Sequence, residues 1–297
     1  MLVSSNISVY AINDLSGDID GTEVDGQVST SGYNPNPEFD MAWPGIEPNS
    51  IYPPDDRYTT DQVKKYPYSA VAYLVVKHKC GCTTRGTGFM VSAKCMLTAG
   101  HVLNCMNPNH NNSPATSLTA YWGYFSSSSY LKKVDVTSTT ATFYTPSDYP
   151  GTQARSDYGY VLFNEDIGST TGWFGLLATD KLYNESAILY GYAKALKGSD
   201  CKLYISYGRI TSVANGRVFL NATMDADDGE SGGPLCIHKS GTDTYNVVGI
   251  YTHGAWGSDE VELNNCLHIT ADFIKMLRDI AENFHEQAQY MKDTYNF

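Results

Sequence analysis

Three short segments of the sequence could together catalyse nucleophilic attack on a carbonyl group. Ser231 lies among glycines in the segment 225–236, which reads Asp-Ala-Asp-Asp-Gly-Glu-Ser-Gly-Gly-Pro-Leu-Cys. An unactivated serine hydroxyl is a weak nucleophile, so it requires a base and a group that orients the base. His101, in Thr-Ala-Gly-His, offers the base, and Asp157, in Ser-Asp-Tyr-Gly, offers the carboxylate. The sequence therefore predicts a catalytic triad of His101, Asp157 and Ser231.

The glycine-rich segment 229–233 has two other interpretations. It fits the Gly-x-Ser-x-Gly elbow of α/β-hydrolases, but there the serine precedes the acid and the histidine, whereas the order here is His, Asp, Ser. It could also be an ordinary turn. In that case His101 would be a core histidine and Asp157 a turn acid. Asp148 and Asp135 are the fallback carboxylates.

Composition and charge exclude several classes of protein. The 297 residues include 18% charged residues, 23 tyrosines and 26 glycines, which is typical of a globular protein rich in strands and turns. No apolar run approaches the ~20 residues of a membrane span, so no membrane contact is expected. The net charge of −12 argues against a nucleic-acid partner, because phosphate binding requires a basic face.

Residues 1–50 differ from the rest of the chain. They contain eight acids, four prolines and no Lys or Arg, which predicts an acidic, disordered or loosely held segment. The start lacks the basic and continuous apolar regions of a secretory signal. We therefore expect that a signal was removed or never existed.

The sequence after residue 50 predicts many short β-strands. Runs rich in β-branched and aromatic residues are separated by Gly, Asn, Asp and Ser, without alternating helices, as in antiparallel barrels or sandwiches. The predicted strands are residues 68–76, 88–91, 118–122, 134–137, 158–163, 187–192, 202–207, 217–220 and 245–251.

One long helical pattern stands at the C-terminal end. Thr270 could cap it, and apolar residues follow at three- and four-residue spacing. The apolar positions are Phe273, Ile274, Leu277, Ile280 and Phe284. This stripe predicts a helix packed against the core.

The seven cysteines cannot all pair within one chain, because their number is odd. Cys95 and Cys105 flank the candidate base and could form a disulfide, or could be small buried apolar residues. A metal site at His78, Cys80 and Cys82 would lack the second ligand pair usual for zinc. No metal ligand is therefore predicted.

The motifs resemble those of chymotrypsin-like (trypsin-fold) serine proteases. Thr-Ala-Gly-His at 98–101, Asp-Tyr-Gly at 157–159 and Gly-Glu-Ser-Gly-Gly-Pro at 229–234 follow one another in the family's order. The resemblance implies an all-β fold of two six-stranded antiparallel β-barrels, residues 51–165 and 166–297, with the site between them and a C-terminal α-helix. Residues 1–50 would be a propeptide.

Further stretches resemble the bacterial glutamyl endopeptidase branch, in particular the secreted Bacillus-type enzymes. They are Asp-Asp-Arg at 55–57, Tyr-Pro-Tyr at 66–68 and Gly-Trp-Phe-Gly at 172–175. This resemblance implies a secreted serine endopeptidase that needs no cofactor, is made as a zymogen and cleaves proteins or peptides. We expect a monomer.

The resemblance also implies a role for each site residue. Ser231 would attack the scissile carbonyl, His101 would transfer the proton, and Asp157 would orient the imidazole. The main-chain amides of Gly229 and Ser231 would form the oxyanion hole. The segment Thr252–Gly254 would pair with the substrate as an extra antiparallel strand.

Activation would involve Ile51 and Glu230. The resemblance places the processing point near Ser50 and Ile51, and an amine freed at Ile51 would pair with an acid just before the serine. That acid is Glu230 here, where the glutamyl branch commonly has an uncharged amide. We therefore expect the intact chain to be poorly active.

The specificity pocket departs from the glutamyl pattern. Tyr251 replaces the pocket histidine and Ala226 replaces a small hydroxyl residue. His253 could reach the pocket, but Asp225 and its acidic neighbours would repel an acidic substrate side chain. Asp225 occupies the position of trypsin's selective aspartate. Three classes of substrate side chain therefore stay open: Glu, basic and large apolar. Branch membership favours Glu.

Two other functions also stay open. The chain could be a catalytically inactive binding module with this fold, although all three triad residues are present. It could also be an esterase, which would not need a peptide-binding edge at Thr252, His253 and Gly254.

Overall fold

The computed structural model describes residues 22–24, 27–35, 57–105, 107–110, 112–147, 156–193, 201–221, 224–238, 245–253 and 264–280. In chain order the strands are β1 (Thr22–Val24), β2 (Gln27–Ser29), β3 (Tyr58–Thr59), β4 (Val71–His78), β5 (Thr83–Met90), β6 (Cys95–Thr98), β7 (Asn104–Cys105), β8 (Ser113–Trp122), β9 (Lys132–Thr137), β10 (Ala141–Tyr144), β11 (Gly159–Phe163), β12 (Gly175–Ala178), β13 (Ser186–Ala193), β14 (Lys202–Ala214), β15 (Arg217–Leu220), β16 (Pro234–His238), β17 (Tyr245–His253) and β18 (Asn265–His268).

Within the residues that the structure describes, helices are few and mostly short. They are α1 (Gly100–Leu103), α2 (Gly168–Thr171), α3 (residues 271–280) and the 3₁₀ turns Tyr68–Ala70 and Pro108–His110. None of these helices has the length and apolar character needed to cross a membrane.

The strands form two sheets that follow the two halves of the chain, except that β1, β2 and β3 join the second-half sheet. Strands β13–β18 form a ring in the order β17-β16-β13-β14-β15-β18, and pairing of β17 with β18 closes it. The first-half sheet has the order β10-β11-β6-β5-β4-β8-β7, with β9 also paired to β8. The predicted all-β, trypsin-like fold is confirmed. Within the described residues, however, the second half is a closed six-stranded barrel and the first is a half-barrel.

Part of the N-terminal segment packs on the second half, so the expectation of a loosely held segment was wrong for these residues. Strand β2 pairs antiparallel with β12. Thr30 donates its N–H to the Leu176 carbonyl at 2.9 Å, and its hydroxyl accepts the Leu176 N–H at 2.8 Å. The ring of Tyr33 lies 4.5 Å from that of Trp173. A strand of three residues is too short to show an alternating pattern. The acidic, proline-rich composition of the segment therefore gave no sign of it.

Helix α3 begins at the predicted cap. The Phe273 N–H donates to the Thr270 hydroxyl at 3.2 Å, and the Phe273 ring packs edge-on against Tyr158 at 4.9 Å. Of the predicted stripe, Phe273, Ile274, Leu277 and Ile280 pack against the core, and Phe284 lies outside the described residues. The helix thereby braces the chain immediately after Asp157.

Candidate active site

His101 is held by Asp157 at two points. The histidine lies in α1, directly after β6. Its ring Nδ1 is 3.0 Å from Oδ2 and 3.2 Å from Oδ1 of Asp157, and its main-chain N–H donates to Oδ1 at 2.9 Å. Asp157 is buried, whereas the imidazole keeps partial exposure. A ring that donates through Nδ1 to a carboxylate presents Nε2 as a proton acceptor.

Sheet register brings these two residues together. Strands β6 and β11 are antiparallel neighbours, with Gly159 opposite Thr98. Asp157 precedes β11 and His101 follows β6, so both stand at the same end of the strand pair. A Cβ at Gly100 would lie 3.0 Å from the Tyr158 carbonyl and 3.2 Å from Oδ1 of Asp157. Glycine therefore permits the close approach of the carboxylate to α1.

The Ser231 segment leaves the second barrel and contacts the first-half sheet. The Thr87 N–H donates to the Ser231 carbonyl at 2.8 Å, and the Thr87 hydroxyl donates to the Gly229 carbonyl at 2.9 Å. A Cβ at Gly232 would clash with the Thr87 carbonyl and lie 2.9 Å from the amide nitrogen of Ala99. Ala99 directly precedes α1. The serine segment therefore lies at the end of β5 and β6 that carries the histidine.

Two main-chain amides of the turn at Ser231 take no part in the turn's described backbone hydrogen bonds. Gly229 has φ +99° and Gly232 has φ +88°, a region that favours glycine. The Glu230 N–H donates to the Asp227 carbonyl at 3.1 Å. Within the part of the chain that the structure describes, the amides of Gly229 and Ser231 donate to no other backbone group. They are the two donors predicted for the oxyanion hole.

Glu230 forms a buried ion pair that the sequence did not reveal. Its Oε1 accepts a hydrogen bond from Arg57 at 2.6 Å, and Arg57 lies 3.8 Å from Asp227 Oδ2. The guanidinium also lies 4.8 Å from the centre of the Tyr204 ring. Burial raises the pKa of Glu230 to about 8, against the opposing effect of Arg57. Glu230, the predicted partner of the Ile51 amine, is thus already paired with Arg57.

The sequence model of the Trypsin family matches residues 58–274, which include the histidine, aspartate and serine segments. The chain belongs to the trypsin family. Its family membership and its relatives make it a trypsin-fold serine endopeptidase.

Two curated relatives come from Bacillus. The extracellular metalloprotease of Bacillus subtilis (strain 168) is 26% identical over 237 residues, covering 77% of this chain and 70% of the relative. The glutamyl endopeptidase of Bacillus licheniformis is 25% identical over 213 residues, covering 70% of this chain and 62% of the relative. Less than two thirds of the latter protein is therefore matched.

Solved structures share the fold at low identity. A Glu endopeptidase in complex with MPD has a TM-score of 0.64 and 21% identity, covering 77% of this chain and 98% of that structure. The protease Anisep from Arthrobacter nicotinovorans has a TM-score of 0.55 and 18% identity, covering 72% and 95%. Both similarities support the trypsin-like fold.

In this trypsin-family chain Tyr251 is a buried, neutral element of the predicted pocket. Its hydroxyl donates to Asn264 Oδ1 at 3.1 Å, and the Asn264 amide donates to the Met224 carbonyl at 2.7 Å. Burial raises the pKa of the Tyr251 hydroxyl above its usual range. Ala226 packs against the same core cluster, and Asp225 is half-buried. Tyr251 therefore ties the chain before the serine to β17.

Arg217 is a second site residue that the sequence reading missed. The buried guanidinium donates to the Thr252 hydroxyl and, at 3.1 Å, to Asn265 Oδ1. Burial lowers the pKa of Arg217, and the negative charge of Asp157 opposes that shift. The residue lies in β15, far from the recognised motifs, so no local signal indicated it. Its contacts fix the predicted substrate-binding edge.

The remaining predicted residues are placed as follows. Asp135 accepts hydrogen bonds from Lys133 at 2.7 Å and Thr119 at 2.6 Å on β8 and β9, away from the β6–β11 pair, which argues against it as the triad acid. The structure describes the main chain of His253 but not its side chain, and Ser50, Ile51, Asp148 and Gly254 lie outside the described residues.

Of the two interpretations of Cys95 and Cys105, the disulfide is absent from the structure. None of the seven cysteines, all of which are described, takes part in a disulfide. Cys95 is buried in β6, where it packs in the main core cluster. Cys105 instead lies 3.6 Å from Nδ1 of His110.

Proposed function

We propose that this trypsin-family chain cleaves peptide bonds through a His101–Asp157–Ser231 triad and an acyl-enzyme. The observation that carries the proposal is the double hold of Asp157 on His101, at the end of β5 and β6 that the Ser231 segment contacts. A carboxylate that fixes both the ring and the backbone of a partly exposed histidine is the arrangement that a general base requires.

The reaction would proceed in two stages. Ser231 Oγ bonds to the scissile carbonyl carbon while His101 Nε2 takes the hydroxyl proton, and that proton then passes to the leaving amine as the C–N bond breaks. A water molecule next loses a proton to His101 and attacks the acyl carbon. The bond from that carbon to Ser231 Oγ then breaks, His101 returns the proton to Oγ, and the carboxylic acid product leaves. Asp157 stabilises the imidazolium in both stages without taking its proton.

The amides of Gly229 and Ser231 would stabilise the negative charge that develops on the carbonyl oxygen. Loss of one such donor typically lowers the rate by about 10² to 10³. Arg57 would contribute indirectly, because it anchors Glu230 between the two amides. A shift of Glu230 would turn both neighbouring N–H groups away from the position of the substrate carbonyl oxygen.

The substrate would lie along Thr252, His253 and Gly254 as an added strand. Strand β17 carries the first two of these residues, and Arg217 fixes the Thr252 side chain. Main-chain hydrogen bonding of this kind suits an extended peptide. It supports a peptidase over an esterase, which would not require such an edge.

The side chain that precedes the cleaved bond is proposed to be Glu, as in the glutamyl endopeptidase relative. Asp225, Ala226 and Tyr251 would form the pocket. Tyr251 can offer only a neutral hydroxyl that already donates to Asn264, and the acidic Asp225 opposes a substrate carboxylate. We therefore expect weaker selectivity for Glu than a histidine-containing pocket would give.

We further propose secretion, a monomeric state and synthesis as a zymogen that is processed near Ile51. The extracellular Bacillus subtilis relative supports secretion. The packing of β2 on β12 supports a docked pro-segment. Removal of residues 1–50 would detach that strand and free the Ile51 amine, whereas Arg57 would remain in place to hold Glu230.

Cleavage profiling tests the proposed specificity and activation together. A peptide library is incubated with the intact chain, with a chain beginning at Ile51, and with Ser231→Ala in each form. We expect cleavage after Glu, enhanced at least about tenfold by trimming and lost in both Ser231→Ala forms. Equal rates before and after trimming would contradict the zymogen proposal. Cleavage only after Lys and Arg would contradict the glutamyl preference.

A further inference from the structure

Four potential metal ligands converge at the edge of the first-half sheet. The sulfurs of Cys80, Cys82 and Cys105 and a ring nitrogen of His110 all lie within 4.8 Å of one another. His110 Nδ1 is 3.1 Å from Cys82 Sγ and 3.6 Å from Cys105 Sγ. These residues are separate from the proposed triad and have no part in the mechanism above.

The turn between β4 and β5 presents the first two ligands. The His78 N–H donates to the Cys82 carbonyl at 2.9 Å, and the Gly81 N–H donates to the His78 carbonyl at 2.9 Å. Gly81 has φ +90°, so the turn uses the backbone freedom of glycine. This tight turn brings Cys80 and Cys82 to one tip of the sheet.

Strand β7 and the segment that follows it present the other two ligands at the same place. Cys105 pairs with Ser113 across the two strands. The Ser113 hydroxyl accepts the Cys80 N–H at 2.8 Å, so one residue fixes both the hairpin tip and the strand that carries Cys105. The His110 N–H donates to the Asn107 carbonyl at 2.9 Å, which closes the turn that presents the imidazole.

The donor set fits zinc. Three thiolates and one imidazole form one of the usual closed, tetrahedral structural sites, with Zn–S about 2.3 Å and Zn–N about 2.1 Å. That geometry places a sulfur and a nitrogen ligand about 3.6 Å apart, and the Cys105–His110 distance is 3.6 Å. The Cys82–His110 pair would need to open by only about 0.5 Å. The set contains no oxygen donor, so calcium and magnesium do not suit it.

His78 does not belong to the set, although it stands next to Cys80 and Cys82 in the sequence. Its Nε2 lies 2.8 Å from the Thr84 hydroxyl. The second ligand pair comes instead from Cys105 and His110, more than twenty residues further along the chain. The local sequence pattern therefore contains Cys80 and Cys82 of this cluster, but not Cys105 and His110, which the fold brings to them.

We propose that Cys80, Cys82, Cys105 and His110 bind one structural zinc ion. Four protein ligands leave no position open for water or substrate, so the ion has no catalytic role. It would cross-link the β4–β5 turn to the chain directly after α1, which carries His101. The ion would therefore support the catalytic histidine through the stability of this corner.

Metal analysis of the purified full chain tests the proposal. We expect one zinc per chain by mass spectrometry of the metal content. Cys82→Ser and His110→Asn should each reduce this to below about a tenth after dialysis, whereas the control Cys201→Ser, a half-buried thiol in another part of the fold, should keep the full content. Cobalt added to metal-depleted chain should give the visible absorption of a tetrahedral thiolate site. Full zinc content in both ligand variants would overturn the proposal, and so would iron in place of zinc.

A second measurement uses the chain without substitutions, so it tests the proposal even if the variants fail to fold. The chain is treated with an alkylating reagent with and without a chelator, and the modified cysteines are mapped. We expect Cys80, Cys82 and Cys105 to be protected until the chelator is added, with a lower Tm after its addition. Labelling of all three at equal rates in both conditions, or a disulfide that joins two of them, would overturn the proposal.

Discussion

The two halves of the molecule each contain a carboxylate paired with a basic side chain, and the pairs differ in a way that separates chemistry from support. In the first half His101 meets Asp157 at 3.0 Å, with side-chain exposures of 20% and 4%. In the second barrel Arg57 meets Glu230 at 2.6 Å, with exposures of 5% and 2%. The first pair retains access to solvent on its histidine side, whereas the second is enclosed on both sides.

The chemistry of the two basic side chains explains the difference. Imidazole gains and loses a proton near neutral pH, so a partly exposed histidine can exchange protons with a substrate. Guanidinium stays protonated in proteins, so Arg57 can only provide a fixed charge and directed hydrogen bonds. We infer that His101–Asp157 acts in the reaction and that Arg57–Glu230 holds the loop on which Ser231 stands.

The largest expected effect is on catalysis, through the first pair. His101→Ala should lower kcat/KM by about 10⁴ to 10⁶, because the serine loses its base. The free energy of unfolding should change by less than about 1 kcal/mol, since the imidazole is partly exposed. Kinetic assays and chemical denaturation measure the two effects. If His101→Ala lowered the free energy of unfolding as much as Arg57→Ala does, the two pairs would not differ in their structural roles.

Asp157→Asn sharpens the role of the carboxylate. The amide keeps the shape of the side chain but favours the wrong imidazole tautomer, so kcat should fall by about 10⁴ with little change in KM. Asp135→Asn is the matched control, because Asp135 contacts Lys133 and Thr119 and should leave kcat unchanged. If Asp135→Asn reduced kcat and Asp157→Asn did not, the assignment of the triad acid would be wrong.

Arg57→Ala tests the structural pair. Removal of one partner of a buried ion pair typically costs about 3 to 5 kcal/mol when the other charge stays buried, so the comparison is made above pH 8, where Glu230 is ionised. The control is Lys132→Ala, which removes the exposed ion pair with Glu165 at 2.9 Å and should cost at most about 1 kcal/mol. Urea denaturation compares the two. Equal and small losses would show that Arg57 does not anchor Glu230.

The smallest effect, taken over a single pH unit, concerns the pH dependence of stability. The pKa of Glu230 is raised from 4.5 to about 8, chiefly by burial. Between these values the folded chain holds a proton that the unfolded chain has released, so the free energy of unfolding should fall as pH rises. One proton gives a slope of at most about 1.4 kcal/mol per pH unit. Glu230→Gln should lack this contribution. An unchanged slope in that variant would assign the pH dependence to other groups.

Much of the fold follows from local pattern. Strands such as β4, β8 and β13 combine β-branched and aromatic residues, so each predicted strand overlaps an observed one. Thr270 caps α3 as predicted, because a cap depends only on residues three positions away. The first half was expected to be a closed barrel, but closure depends on pairing between distant strands, which periodicity does not specify.

The chemistry-bearing residues divide in the same way. His101, Asp157 and Ser231 stand in short motifs that the sequence displays. Arg57 stands in the Asp-Asp-Arg segment 55–57, which does not indicate its partner, and Arg217 lies outside the motifs. Their partners are 173 and 35 residues away. Cys105 and His110 join Cys80 and Cys82 only through the alignment of β4, β5, β7 and β8. Contacts of this range depend on the tertiary fold, so composition and spacing could not predict them.

An organophosphonate probe tests the central claim most directly. The probe is incubated with the chain beginning at Ile51, the modified residue is mapped by mass spectrometry, and the rate of modification is compared with that of His101→Ala. We predict a single adduct at Ser231, formed at least about 10³ times faster in the parent chain than in the variant. An adduct at another residue, or equal rates in both proteins, would contradict the assignment of His101 as the base that activates Ser231.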